Sequence, residues 1–357
     1  MKEELIINVG TLTSWNSLYR NIAPKLDYLR EQIDREEKPN IFWDFSHIQT
    51  GKVSMSALTA FLSIAKSVRK KFDEAPHLIM NWDPYMLRFL SDINFFKVAQ
   101  ELDILQWHPN LIGGMINKIT NPNSKILFFN DIPNKEELMK DKTKLNNWKE
   151  TKREELIVEE LYRRIDSLFI YEDFYDDWKQ HIINLLTMTV AELIVNSLLH
   201  GQDIAFVGFQ KSPRGITVCV CDSGLGFLTS MKRNQTWVTD VKMNRDVDAL
   251  VNASLMTRDE IGLRKAIDDI IDSDGYIVLS SVDCELRWGE GNWRTANDKF
   301  NFENFKTELQ TAKNVLGNEI DSYPSPLEYK KGFYRNFNSK LKGTRITFEI
   351  PSTKIES

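Results

Sequence analysis

Cysteine is scarce in this chain. Three of its 357 residues are cysteines, Cys219, Cys221 and Cys284, and none forms a C-x-x-C pair. That spacing argues against a disulfide framework and against a zinc ribbon. Cys219 and Cys221 stand two apart in an alternating stretch and read as strand residues facing one side. The chain has no signal-like start and no uninterrupted apolar run of about 18 residues, so no membrane partner is expected and the expected location is cytoplasmic. An excess of positive charge is missing too: the formal net charge is -5 and the pI about 5.7, so nothing in the balance favours nucleic acid as a partner. Repeats and low-complexity tracts are absent. What remains is a chain long enough for two domains with sizeable cores.

The most informative stretch runs from about Trp178 to His200 and reads as a helix that is apolar on most faces, the signature of a buried element. Glu192, Asn196 and His200 interrupt it at i, i+4 and i+8, which places them in one stripe. A carboxylate or amide buried without a partner costs roughly 1–3 kcal/mol or more. A hydrated Mg2+ carrying phosphates would satisfy the stripe, since that ion takes few protein ligands. A solvated face, or an Asn bonded to neighbouring backbone, would do so equally well.

Downstream, Asp203–Gln210 and Gly215–Cys221 read as a hairpin, the second arm alternating Ile216, Val218 and Val220 against Thr217, Cys219 and Cys221. It ends in Asp222-Ser-Gly224-Leu-Gly226. An acid at the carboxyl end of a strand, followed by glycines that allow close backbone approach, suits a carboxylate accepting from an exocyclic amine. Acidic turns with glycine are also common for purely structural reasons. A helix opens after Gly262 with Leu263, Ala266, Ile267, Ile270 and Ile271 on one face, so Gly262 stands where free N–H groups favour phosphate, with Arg264 and Lys265 beside it. An ordinary turn glycine flanked by solvated cations reads the same way. Strands follow at Tyr276–Ser281 and Thr344–Ile350, the latter headed by Gly343-Thr344.

In this order the segment from about Val158 to Pro351 resembles the GHKL, or histidine-kinase-like, ATPase family. The wording Glu192-Leu-Ile-Val-Asn196-Ser-Leu-Leu-His-Gly201 is most similar to anti-sigma-factor serine kinases and related stand-alone bacterial ATPases. The resemblance implies an α/β-sandwich (Bergerat-type) domain over 151–357 with ATP and Mg2+ as cofactors. It implies that Asn196 holds the metal, Glu192 is the catalytic base, and Asp222 reads the adenine amine. Gly224 and Gly226 would let the base approach, Gly262 would meet the phosphates, and Thr344 would support Asp222. Residues between Phe227 and Glu260 would form an ATP lid, with Lys242, Arg245 and Arg258 around it. Two departures stand out: the glycine box at Asp259-Glu-Ile-Gly262-Leu-Arg264 is sparse, and an aromatic-rich insertion, 289–342, separates the last two strands.

Residues 1–150 alternate strands (Leu5–Val9, Asn40–Ser46, His77–Trp82) with helices (Trp15–Ile33, Ser54–Lys71, Tyr85–Leu102), an α/β pattern closed by a strand at Ile126–Asn130. This half is similar to STAS domains at Asp44-Phe-Ser46 and Ser54-Met-Ser56-Ala-Leu58. There the resemblance sets Ser56 as the counterpart of a phosphoacceptor serine, against Ser54 as a plain helix N-cap. The run from Pro133 to Arg164 is highly charged and reads as a solvated connecting helix containing the domain boundary near 150, with a role as hinge or homodimer element.

The fold expected is therefore α/β, a STAS-like regulatory domain followed by an ATP-binding domain. The function expected is an ATP-dependent regulatory switch with a protein partner, in bacterial signalling or defence. The alternatives are a protein serine kinase acting on a partner and a catalytically dead nucleotide-binding scaffold. A two-component histidine kinase is disfavoured, because none of His47, His77, His108, His181 and His200 sits in a phosphoacceptor setting.

Overall fold

The computed structural model describes residues 3–32, 38–49, 51–72, 74–81, 83–108, 123–169, 176–234, 246–256, 262–299 and 334–351. The chain is a mixed α/β protein with one parallel and one antiparallel sheet. Strands β1 (Glu4–Asn8), β2 (Asn40–Asp44) and β3 (His77–Ile79) alternate with helices α1 (Trp15–Gln32) and α2 (Met55–Arg69) and pair in parallel in the order β1-β2-β3. The apolar faces of α1, through Leu18 and Ile22, and of α2, through Leu58, Phe61 and Ala65, enclose Ile7, Ile41, Trp43 and Leu78.

The single helix expected over Tyr85–Leu102 is two, α3 (Pro84–Asp92) and α4 (Phe95–Glu101). Asn94 breaks them with a φ of 68°, a left-handed conformation that asparagine tolerates better than most residues. Ser54 does occupy the N-cap position of α2, yet its hydroxyl makes no capping bond and instead lies 2.7 Å from that of Ser56.

The strand expected to close the first domain, β4 (Ser124–Phe129), belongs to the second sheet. It pairs antiparallel with β5 (Ala205–Ser212), and the full order is β4-β5-β6-β8-β7, with β6 at Gly215–Cys221, β7 at Tyr276–Trp288 and β8 at Tyr334–Pro351. The reason lies in its side chains. Ile126 and Phe128 face the amino-terminal core while Leu127 and Phe129 face the carboxy-terminal one, so β4 suits a position covered on both faces.

The charged run forms α5 (Lys135–Leu138), α6 (Lys142–Glu155), a π-helical turn at Leu156–Leu161 and α7 (Tyr162–Asp166); residue 150 lies within α6. The long apolar helix is α8 (Asp176–Asn196), prolonged by a π-helical turn over Ser197–Gly201. Lys179–Gly201 is the one helix among the described residues long and apolar enough to cross a membrane, and it is mostly buried inside the fold. Helices α9 (Phe227–Asn234), α10 (Asp246–Met256), α11 (Leu263–Asp272) and α12 (Glu290–Lys299) follow.

Leu186, Val190 and Ile194 of α8, Leu250 of α10 and Ile267 of α11 cover one face of the second sheet through Ile216, Val218, Val220 and Phe348. The opposite face, with Phe206, Cys219 and Cys221, packs on α2, so both sides of β6 carry core residues beyond the one expected. Helix α2 is thus a shared layer between the two sheets. Its approach to β5 depends on Gly208, where a Cβ would lie 2.1 Å from Thr59 Oγ1 and 2.8 Å from Met55 Cγ. We expect Gly208→Ala to lower stability in urea unfolding by about 1–3 kcal/mol, the range for overpacking, and Thr59→Ala to recover part of that loss. An unchanged midpoint for Gly208→Ala would mean that α2 and β5 do not pack this closely.

Candidate functional site

The polar stripe on α8 finds its partners inside the protein. Glu192 is buried, and its carboxylate accepts from Asn196 Nδ2 at 3.0 Å on one oxygen and from Arg153 Nε at 2.6 Å on the other. Arg153 comes from α6, in the charged run, and its side chain is only 14 % exposed. With its amide nitrogen turned to Glu192, Asn196 leaves Oδ1 without a hydrogen bond among the described residues. One turn on, His200 is partly buried; burial, with Lys149 and Lys135 nearby, pushes its pKa down to about 3, so it is a neutral imidazole at pH 7.

Beyond Asn196 the helix widens into the π-helical turn and ends at Gln202, which takes the left-handed conformation. Gly201 is placed by that ending directly against Asp222. A Cβ on Gly201 would stand 3.0 Å from the Asp222 carboxyl carbon, and one on Gly224 would stand 1.9 Å from the Gly201 carbonyl oxygen. The helix end and the turn after β6 therefore meet backbone to backbone, which residues with a side chain do not permit.

Asp222 is the centre of this contact and is 1 % exposed. Its Oδ1 accepts from the Gly224 N–H at 2.9 Å and from the Thr344 N–H at 3.2 Å. The two backbones also exchange bonds, Asp222 N–H to Thr344 O at 2.9 Å and Thr344 N–H to Asp222 O at 3.2 Å. Gly343, at φ +95°, makes this crossing possible, because a Cβ there would lie 2.0 Å from Asp222 O. Burial pushes the Asp222 carboxyl up to about 6; the neighbouring Asp203 adds to the rise, while the Gly224 and Thr344 N–H groups and Arg345 oppose it.

Asp203 is itself buried and ties the site to the amino-terminal half. It accepts from Ser223 Oγ at 2.5 Å and from the Ile204 N–H at 2.8 Å, and it forms an ion pair with Lys70 at the end of α2. Arg345, next to Thr344, is 4 % exposed and lies over the ring of Trp15 in α1 at 4.4 Å.

The fold thus brings Asp222, Gly224 and Thr344 together, with Gly226 opening α9 through its carbonyl bond to Ser230 N–H at 3.0 Å. Glu192 and Asn196 lie on the helix that ends at this cluster. Gly262 stands at the amino end of α11, as expected, and α11 packs on α8. Its neighbours are engaged elsewhere: Lys265 pairs with Asp269, and Arg264 donates to Leu255 O at 3.1 Å. Lys242, Arg245 and Arg258 lie outside the described residues, as do residues 300–333 of the insertion, from which Trp293 packs on Trp288 with ring centres 5.1 Å apart.

Sequence reading did not single out Arg153, Lys149 or Asp203. The two cations sit in a run of charges with no feature to separate them, and Asp203 carries no motif. Gly201 closes the string that opens at Glu192, and its spacing behind Asn196 is the sequence signal that marks it. Among the described residues no group of three or more His, Cys, Asp or Glu side chains is placed to hold a metal, so any ion here would depend on few protein ligands.

Asp222 gives a test of this geometry. Because its folded pKa lies above the unfolded carboxylate value of about 4, the native state binds the extra proton between those values and loses stability as pH rises through them. Relative to Asp222→Asn, the parent should lose about 2 kcal/mol between pH 4 and 6.5 in urea titrations; parallel curves would contradict the buried carboxyl. Comparison with protein-family models, curated proteins and solved structures finds no match to this chain.

Proposed function

We propose that this chain is an Mg-ATP-binding protein of the histidine-kinase-like (GHKL) type, built as a Bergerat-type nucleotide domain beside a STAS-like unit and working as a nucleotide-dependent switch. The observation that carries the reading is the buried Asp222–Gly224–Thr344 cluster joined through Gly201 to the helix bearing Asn196 and Glu192. From Gly201 back to Glu192 is nine residues, roughly 14 Å of helix at 1.5 Å per residue, a span suited to a base at one end and phosphates at the other.

Each end has the chemistry required. Asp222 offers a desolvated carboxyl group, held by two N–H groups, to an exocyclic amine. Asn196 Oδ1 offers an oxygen ligand, and Mg2+ bound there would neutralise phosphate charge while keeping most of its waters. In turnover, Glu192 takes the proton from the water, or from a partner protein's serine hydroxyl, as that oxygen bonds to the terminal phosphorus and the bond to the ADP oxygen breaks. The switch role is supported by two links from the site to the amino-terminal half, Lys70 to Asp203 and Trp15 to Arg345. A protein partner and a homodimer formed through the connector belong to the same reading.

A second reading, a nucleotide-binding scaffold without turnover, is favoured by one observation: Arg153 and Asn196 already satisfy both oxygens of Glu192. Calorimetry and phosphate release separate the two. Asp222→Asn should weaken ATP and ADP alike by roughly 10- to 100-fold, the worth of a hydrogen bond to a charged group. Glu192→Gln should keep ATP affinity and abolish phosphate release. ATP binding by Asp222→Asn as tight as by the parent would overturn the adenine assignment, and a parent that binds but never releases phosphate, even with candidate partners, would favour the scaffold.

A further inference from the structure

The sparse glycine box leaves open what meets the terminal phosphate, and the connector offers an answer. Arg153 and Lys149 are one turn apart on α6, so they share the face turned towards α8. Arg153 reaches Glu192, and Lys149 and Lys135 of α5 each lie near enough to His200 to lower its basicity. Cations from two connector helices therefore run alongside the very stripe that carries Asn196.

Arg153 is the member best suited to an anion. Only its Nε is used, on Glu192 Oε2; Nη1 and Nη2 make no hydrogen bond among the described residues, although the side chain is only 14 % exposed. A guanidinium held at one edge with its fork open is the geometry that binds phosphate oxygens in pairs. Lys152 next to it is directed elsewhere, to Asp131 at 2.7 Å and Glu155 at 2.9 Å.

We propose that Arg153, assisted by Lys149, reads the terminal phosphate of the nucleotide, so that the connector supplies the phosphate cradle that the glycine box lacks. The proposal rests on the nucleotide reading above and adds a specificity-determining residue to it. It also gives the connector a way to sense the ligand. When the fork takes a phosphate, the Glu192 contact and the phosphate contact share one guanidinium, and α6 passes directly into the π-helical turn that runs to α7. A triphosphate and a diphosphate would then hold α6 differently.

The test is calorimetric titration of the full chain with ATP, ADP, adenosine and inorganic tripolyphosphate. Arg153→Met should weaken ATP by about tenfold or more, ADP less, and adenosine not at all, and Lys149→Met should act in the same order with smaller effect. Arg153→Met/Glu192→Gln removes both charges together, so it guards against a fold lost to a lone buried carboxylate, and it should show the same ranking of ligands. Equal loss for all ligands, or tighter ATP binding once Arg153 is gone, would overturn the proposal in favour of a structural strut or a blocking contact. Tripolyphosphate separates the two claims. Arg153-dependent binding of tripolyphosphate without adenosine binding keeps the cradle and removes the adenine reading, whereas ATP binding indifferent to Arg153→Met does the reverse. No binding of either ligand by the parent would remove both.

Discussion

The site depends on a carboxyl group placed where backbones crowd too closely for side chains. Asp222 has almost no exposure, and Gly201, Gly224 and Gly343 are the residues whose missing Cβ atoms make that placement possible. The same contacts bind together the end of α8, the turn after β6 and the head of the Thr344 segment of β8, three pieces far apart in sequence. Burying a carboxyl group is costly, and its elevated pKa is the measure of that cost. The carboxyl group at this meeting point of three elements is enclosed by backbone, so a ligand reaches it only if the turn after β6 moves.

Helix α2 extends the consequence to the whole chain. Because it is covered on both sides, the parallel sheet and the antiparallel sheet share a layer instead of being joined by a tether. The ion pair from Lys70 to Asp203, and the bond from Ser223 to the same carboxylate, set the turn next to Asp222 against the end of this helix. Displacement of that turn by a ligand would reach α2 through one buried carboxylate. The connector supplies a second route on the other side, through Arg153 and Glu192. Under the nucleotide reading proposed above, these two short electrostatic links, each engaging a buried acid, are the contacts through which the site would bias the rest of the chain.

Much of this was legible in the sequence because periodicity reports burial. The α8 helix, the β5–β6 hairpin, the α11 face and the final strand all carry one apolar face or more at the right spacing, and the structure holds them where the pattern places them. Asp222 and Gly224 stand out as an acid followed by glycines at a strand end, whereas Thr344 is tied to them only by the family resemblance; its backbone bond to Asp222 joins residues 122 apart in sequence. What local patterns do not encode is pairing between distant elements. The strand at Ile126–Phe129 is apolar on both faces, so its alternation cannot say which sheet it joins, and it joins the second. Asn94 splits an otherwise helical run because one left-handed residue leaves the hydrophobic spacing on either side intact. Arg153 looks like any charge of a solvated helix until α6 is laid against α8, and only then does the partner of Glu192 become visible.

The central claim is that Asp222 and the Glu192–Asn196 pair are two ends of one nucleotide site. The most direct measurement is a crystal structure of the full chain grown with Mg2+ and a non-hydrolysable ATP analogue. The adenine amine is expected within hydrogen-bonding distance of the Asp222 carboxyl group, with the phosphates running along α8 towards Asn196. An analogue seated elsewhere on the molecule, with Asp222 still enclosed by Gly201, Gly224 and Thr344 and touching no ligand, would contradict it.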